Sequence, residues 1–408
     1  MGHRRSRILI VSDTMGKFDL ATQVDWDAIN KEKPVDLLIH CGNLTTWSQH
    51  KEYLSVMNMF AKLEGKTPQI VFVGGSHDFT LDGRRFEEAL QQVLAPYERA
   101  SRIGQAVAEL KAHQLPERMR GTPADEKFEQ RKKELLEKYA HFSNLTDGEA
   151  KLKNSLGDTY REPYTTYYYF MMQKTCREEA NKMGVECLQY SPFQRGKVID
   201  MANGTRPYVQ ASVLSANFRD GSDGHLSAMP TRMWEFDDPL TQILVTHGPP
   251  KSILDGSDSA GKNGKGDAGL FRVAARMRPL IHCFGNVSEG WGAKVVRWDT
   301  SLPLLNESEN MPHPRITPEN AIVQEESVVI EALGMLKDTT RHGCAYTSHC
   351  KGDARPLLKR EDTLFINASM RAADGTITQR PWLVDVDLPD FDESDNEEES
   401  GQEEDPVE

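Results

Sequence analysis

Short apolar runs that stop abruptly at Gly, Asp or His constrain most strongly what this 408-residue chain can fold into. They occur at Arg7–Ser12, Asp36–Cys41 and Gln69–Val73, and again at Thr241–Thr246 and Pro279–Phe284. Each reads as a buried strand. Apolar residues at helical spacing fill intervals between them, at Gln49–Leu63 and Ala268–Met277, so the alternation predicts a layered α/β domain. Two later runs, Thr363–Ala368 and Trp382–Val386, add strands, whereas Ser327–Lys337 reads as a helix and the residues from there to Arg360 as a loop. Polar residues gather where the early strands stop, the place where α/β sheets put their sites.

From Arg84 to about Gly184 the strand signals vanish, and Glu, Lys, Gln and Leu dominate. This predicts a helical insertion. Thr122, Pro123 and Asp125 form a helix start, and Phe128, Leu135, Tyr139 and Phe142 recur along one face. The stretch Tyr164–Met172, rich in Tyr, Phe and Met, reads as a helix face docked on the main domain or as the lining of a pocket or partner groove. The expected division is 1–84 and 185–389 for the two parts of the main domain, 85–184 for the insertion or cap, and 390–408 for a disordered acidic tail.

With 38% apolar and 27% charged residues, the composition is that of a soluble globular protein. No run approaches the roughly 18 apolar residues of a membrane span, and Met1–Arg7 is basic without the apolar segment of a signal peptide. A cytoplasmic or nuclear address and no membrane partner are expected. Cys41, Cys176, Cys187, Cys283, Cys344 and Cys350 lack paired spacing, which predicts reduced thiols. His342, Cys344, His349 and Cys350 crowd together without the spacing of a zinc site, and read as a loop with incidental polar residues. The net charge of −13 suggests repulsion from nucleic acid, but Asp387–Glu408 holds 12 acidic residues and no basic ones, so the remainder is near neutral. The tail serves solubility or docks a basic partner.

Five loops carry the chemical signal, each just after a predicted strand. They are Ser12-Asp13-Thr14-Met15-Gly16, His40-Cys41-Gly42-Asn43-Leu44-Thr45, Gly74-Gly75-Ser76-His77-Asp78-Phe79, Thr246-His247-Gly248-Pro249-Pro250 leading to Ile253-Leu254-Asp255, and Phe284-Gly285-Asn286-Val287-Ser288-Glu289-Gly290-Trp291-Gly292. In this order they resemble the calcineurin-like metallophosphoesterases, specifically the metallophosphoesterase-domain proteins of vertebrates and their fungal relatives. The likeness covers Arg7 to about Arg84 and Val185–Pro389. It implies a four-layer αββα sandwich of the metallo-dependent phosphatase type, with a dinuclear metal site at one sheet edge.

Position by position, the resemblance makes Asp13 and His247 metal ligands. It makes His77 the histidine that assists the leaving group, with Asp78 beside it to orient the ring. The other ligand positions are rewritten: Met15 stands for a His, Asn43 for the bridging carboxylate, Ser76 for an Asn, and Asn286 and Ser288 for two His. A thioether is too soft for Mn, Mg or Fe, and Asn43 removes the charge that holds two cations together. The expectation is a vestigial centre at Asp13, Asn43 and His247, holding no cofactor or one weakly bound divalent metal such as Mn, Fe or Zn. Two bland readings stay open. Asp13 could cap a turn, and His247 and His77 could be kept by hydrogen bonds in tight loops. His40 and His282 read as satisfied structural histidines, and His225 as a solvated loop residue.

The backbone amides of Gly16, Gly42, Gly75 and Gly248 are candidates for holding phosphate without metal. The leading expectation is therefore a pseudo-phosphoesterase with a binding or regulatory role. A phosphate-containing small molecule, or a protein met by the insertion or the tail, would be its partner. The alternative is a phosphodiester or nucleotide hydrolase with an atypical or single-metal site, or an enzyme of altered chemistry.

Overall fold

The computed structural model describes residues 3–46, 50–78, 130, 133, 185–187, 197–201, 203–212, 240–257, 263–302, 316–333, 340–372 and 374–389. The chain divides into two compact units, Met1–Asp82 with Gln173–Glu408, and Gly83–Met172. Every element named below belongs to the first. The predicted insertion helices, the Tyr164–Met172 stretch, His225 and the tail from 390 lie outside the described residues.

In chain order the elements are β1 (His3–Val11), α1 (Leu20–Gln23), α2 (Trp26–Glu32), β2 (Leu37–His40), α3 (His50–Ala61), β3 (Ile70–Phe72), β4 (Val185–Cys187), β5 (Lys197–Val198), β6 (Tyr208–Ser212), β7 (Ile243–Thr246), α4 (Ala268–Met277), β8 (Ile281–Phe284), β9 (Gly292–Arg297), α5 (Pro318–Ala321), β10 (Val328–Ala332), β11 (Thr340–Arg341), β12 (Cys344–His349), β13 (Asp362–Asn367) and β14 (Trp382–Pro389). They build two seven-stranded sheets, ordered β11-β12-β14-β1-β2-β3-β4 and β10-β9-β13-β8-β7-β6-β5. Parallel pairs β1–β2, β2–β3, β6–β7 and β7–β8 lie at the centre of the site-bearing halves, so the loops after β1, β2, β3, β7 and β8 leave at strand C-termini.

The period-2 alternation of side chains decides what each face covers. Ile8, Ile10, Leu37, Ile39 and Val71 of the first sheet share one buried cluster with Val209, Ile243, Val245, Ile281, Cys283, Val295, Leu364 and Ile366 of the second. That cluster is the interior of a sheet-on-sheet sandwich. The intervening residues Phe284, Val296 and Phe365 turn to the opposite face, where they meet Phe271, Ala274 and Ala275 of α4. On the first sheet Phe60 of α3 packs against Phe72 of β3, with ring centroids 5.7 Å apart. Helix, sheet, sheet and helix therefore stack as four layers, and each fully buried Leu, Ile or Phe contributes about 1.5–3 kcal/mol.

Local signals fix the ends of α4: the Asp267 side chain accepts from Leu270 N, and the helix stops at Arg278 in the left-handed region. Asp267 thus satisfies one of the four free N–H groups of the first turn. In the first sheet, antiparallel pairing places Arg7 opposite Asp385. Arg7 grips that carboxylate with two bonds, Nε to Oδ1 at 2.7 Å and Nη2 to Oδ2 at 2.8 Å. Both residues are buried, and the interior gives this forked pair a fixed geometry.

Two expectations are corrected. The described part of Ser327–Lys337 is not a helix: Val328–Ala332 is β10, antiparallel to β9, and its β-branched Val328, Val329 and Ile330 suit an edge strand better than a helix. The stretch assigned to loop contains β12, parallel to β14. His342, Cys344, His349 and Cys350 thus flank or belong to a strand. His342 binds Glu32, while His349 is held by the Thr347 hydroxyl and the Arg355 carbonyl. Burial pushes the thiols of Cys344 and Cys350 up to about 12.

Candidate functional site

Loops after β1, β2, β3, β7 and β8 bring the predicted residues to one sheet edge, with left-handed backbone as the device that turns them. Asp13 (φ 58°), Met15 (φ 51°), Asn43 (φ 56°) and Asn286 (φ 66°) all take this conformation within a few residues of a strand end. Asp and Asn tolerate it through local hydrogen bonds, whereas at Met15 it costs about 1 kcal/mol. The loops approach so closely that two glycines are required. A Cβ on Gly42 would lie 2.6 Å from His247 Nδ1, and one on Gly75 would lie 2.2 Å from Asn43 N.

Asp78 is the buttress of this edge. Fully buried, its carboxylate accepts from Leu44 N, Thr45 N and Gly75 N, each at 2.9 Å, and from Thr45 Oγ1 at 2.7 Å. Burial pushes its pKa up, against the pull of these donors. The expectation that Asp78 orients the His77 ring is corrected: no bond between them is among those of the described residues, and the donors to Asp78 come from the loop after β2 and from Gly75 of its own loop. His77 Nδ1 instead donates to the Thr46 carbonyl at 2.9 Å.

At the centre, Asn43 Nδ2 donates to Asp13 Oδ1 at 2.6 Å. The orientation of this amide follows from its other end. Asn43 Oδ1 accepts from His77 N at 2.8 Å, and a backbone N–H can only donate, so the NH2 group must face Asp13. The second carboxylate oxygen of Asp13 accepts from Asn286 N at 2.8 Å. Ser76 Oγ lies 3.0 Å from Asn43 Oδ1 and 3.4 Å from His247 Nε2, and His247 Nδ1 donates to the Cys41 carbonyl at 2.8 Å.

The remaining predicted positions take structural roles. Met15 is buried, and its backbone ties the first two loops together by bonding Asn43 O and the Thr46 hydroxyl. Ser288 opens a 3-10 turn and reaches Glu289 at 3.4 Å. Asn286 joins the cluster through its backbone. His40 accepts from Gly42 N on Nδ1 and donates from Nε2 to Thr14, and His282 donates from Nε2 to Thr246, whose own hydroxyl proton goes to Gly248 O. Burial depresses both rings to about 3, so they are neutral structural groups.

Two of the four glycine amides expected to cradle an anion are engaged within the protein: Gly42 N is bonded to His40 and Gly75 N to Asp78. The donor set does not suit two cations. The charge that should bridge them is an amide whose NH2 points at the remaining carboxylate, both Asp13 oxygens hold hydrogen bonds, and His247 Nε2 faces a hydroxyl. Among the described residues no group of three or more His, Cys, Asp or Glu could hold a metal ion.

Residues 6–121 match the family model described as calcineurin-like phosphoesterase. The chain carries a calcineurin-like phosphoesterase domain. The two facing sheets and the loop-borne polar cluster at their edge are the architecture expected of that domain. A separate similarity, 40% identity over 72 residues, links 17% of this chain to 6% of a protein named probable rhamnogalacturonate lyase C from Emericella nidulans (strain FGSC A4 / ATCC 38163 / CBS 112.46 / NRRL 194 / M139). The chain spans a small fraction of that protein, and the printed activity describes the lyase. No helix among the described residues is long and apolar enough to cross a membrane.

What the sequence reading missed in the phosphoesterase domain are the partners supplied by backbone, above all Thr46 O for His77 and Cys41 O for His247. Their only sequence signal is the short spacing of the loops that carry them.

Proposed function

We propose that this phosphoesterase-fold protein has exchanged its dinuclear metal centre for a metal-free hydrogen-bond network, and works as a binding or regulatory protein rather than as a two-metal phosphoester hydrolase. The 2.6 Å contact from Asn43 Nδ2 to Asp13 Oδ1 carries this reading. An amide N–H occupies the direction from which a bridging cation would approach the carboxylate, and its orientation is imposed by His77 N. Removing a single partner that merely orients a metal ligand costs about 10–100-fold in affinity or activity. Here five ligand positions, Met15, Asn43, Ser76, Asn286 and Ser288, depart from the family pattern together.

Metal analysis of the purified chain, with hydrolysis of an aryl phosphodiester as the activity readout, tests it. The expected result is neither stoichiometric Mn, Fe or Zn nor turnover. A variant combining Met15→His, Asn43→Asp, Ser76→Asn, Asn286→His and Ser288→His should gain metal. Two ions per unaltered chain with hydrolysis would overturn the proposal. The competing single-metal hydrolase draws on His77, whose ring is held by Thr46 O, and requires His77→Ala and Asp13→Ala to abolish any turnover observed.

A further inference from the structure

Lys294 of β9 is a cation that the fold half-buries without giving it a partner. Alternation along the strand turns Ala293 and Val295 into the sandwich interior and sets Lys294 with Val296 on the outer face, where Val296 and Phe365 join the apolar cluster that includes Phe271 of α4. Strand pairing places Lys294 between Phe365 of β13, which is fully buried, and Val329 of β10, which is exposed. Arg297, three residues further on, is gripped by Asp362 and Glu361. Lys294 has no such partner: among the described residues its amine makes no hydrogen bond or ion pair, and the one charge it feels is that of Asp255. Asp255 is itself buried and held by its own loop, accepting on Oδ2 from Ser252 N at 2.8 Å and Gly266 N at 3.3 Å, and on Oδ1 from Ser257 Oγ at 2.7 Å and Ser257 N at 3.2 Å. Burial therefore pushes the Lys294 pKa down, and the Asp255 charge offsets this only in part.

We propose that Lys294 is a nucleophilic amine at which this chain takes acyl groups from small neutral thioesters. Position and surroundings select the chemistry. An ammonium that loses hydration among apolar neighbours, with no ion pair in return, spends more of its time as the free base, which is the nucleophilic form. The residue is only half-buried and adjoins the exposed Val329, so a small donor can reach it. The Asp255 carboxylate disfavours an anionic donor where a neutral one is not affected. In the step, Nζ bonds to the thioester carbonyl carbon, the C–S bond breaks, and the thiolate leaves with the proton that the nitrogen gives up. The product amide is neutral, so acylation removes the charge that the apolar face penalises. The inference goes beyond the metal-free reading and does not depend on it, since neither Lys294 nor Asp255 stands at an expected metal-ligand position.

N,S-diacetylcysteamine, a neutral thioester, tests this on the full chain at neutral pH, with acetylation followed at each lysine by peptide mass. Lys294 should react at least about tenfold faster than the exposed Lys17, Lys251 and Lys359, the gain in free amine expected when burial disfavours the ammonium. The preference should vanish in the urea-unfolded chain, where all four amines are hydrated alike. Raising the pH should accelerate the exposed lysines more steeply than Lys294, because a larger share of its amine is already unprotonated. Asp255 is the one charged group of the described residues that acts on Lys294, and a carboxylate stays ionised throughout that range. A Lys294 rate no faster than those of the exposed lysines, an excess that survives unfolding, or an equally steep response to pH would overturn the inference. Stoichiometric metal in the purified chain would overturn the proposed function and leave this inference standing.

Discussion

Asp13 and Asp78 stand in neighbouring loops, both buried and both hydrogen-bonded, yet what surrounds them differs in kind. Asp78 gathers three backbone amides and a hydroxyl from the loops after β2 and β3, and those donors are needed whatever the protein does. Asp13 is met by one side-chain amide and one backbone amide, and the side-chain partner is a residue that departs from the family pattern. On the proposed reading, the contrast separates a carboxylate that ties loops together from one that would have shared cations with a second carboxylate; Asn43 stands at that second position, and its hydrogen bond to Asp13 fills the gap.

The strongest way to break this contrast is Asp78→Ala. It would strand three buried N–H groups and should destabilise the protein by about 3–5 kcal/mol, read as a shift of the urea midpoint. A loss below about 1 kcal/mol would mean that the loops are held by something else. Arg7→Met provides a reference far from the site. Leaving Asp385 buried without its forked partner should cost about 3 kcal/mol by the same measurement.

Asp385 also gives a dependence on pH. Burial alone would raise its pKa, but the hydrogen bond and charge of Arg7, then those of Arg5, hold it below the usual carboxylate range. Its contribution is therefore complete above the unfolded carboxylate value of about 4 and is lost as pH falls through the lower folded value. Melting curves of the wild type should decline over that acidic window, and Asp385→Asn should remove that part of the slope.

Asn43→Asp sharpens the comparison directly. It sets two carboxylates at hydrogen-bond distance and should lower stability by about 2 kcal/mol in EDTA, with recovery in millimolar Mn2+, because a cation that binds only the folded state stabilises it. A Tm indifferent to both would remove the case that Asn43 stands in for charge. The smallest effect belongs to Lys265→Met. The Lys265–Glu289 pair is about half exposed on both sides, so its loss should change stability by no more than about 0.5 kcal/mol.

Much of the architecture was legible because buried strands and an amphipathic helix leave periodic traces. Ala268–Met277 was delimited to the residue, since Asp267 caps its start and Arg278 ends it. β10 was misread because Val328–Ala332 is a short apolar run whose period does not distinguish strand from helix, although its β-branched residues were a usable clue. β12 went unseen because Cys-Ala-Tyr-Thr-Ser-His has little apolar character; its pairing with β14, more than thirty residues away, determines it. At the site, loop order brought Asp13, Asn43, Ser76, His77 and His247 into view together. The partners that define their chemistry were hidden, because a backbone carbonyl such as Thr46 O or Cys41 O is present at every residue and only tertiary geometry selects one.

The pairing of β1 with β14, from His3 opposite Pro389 to Ile10 opposite Trp382, bears on how the chain is made. During synthesis β1 keeps one edge unsatisfied until residues 382–389 have been translated, and closing so long a loop is slow. A nascent chain stalled before residue 382 would present a bare, aliphatic strand edge to its neighbours. Chaperone occupancy during synthesis should therefore persist until β14 emerges and collapse once it docks.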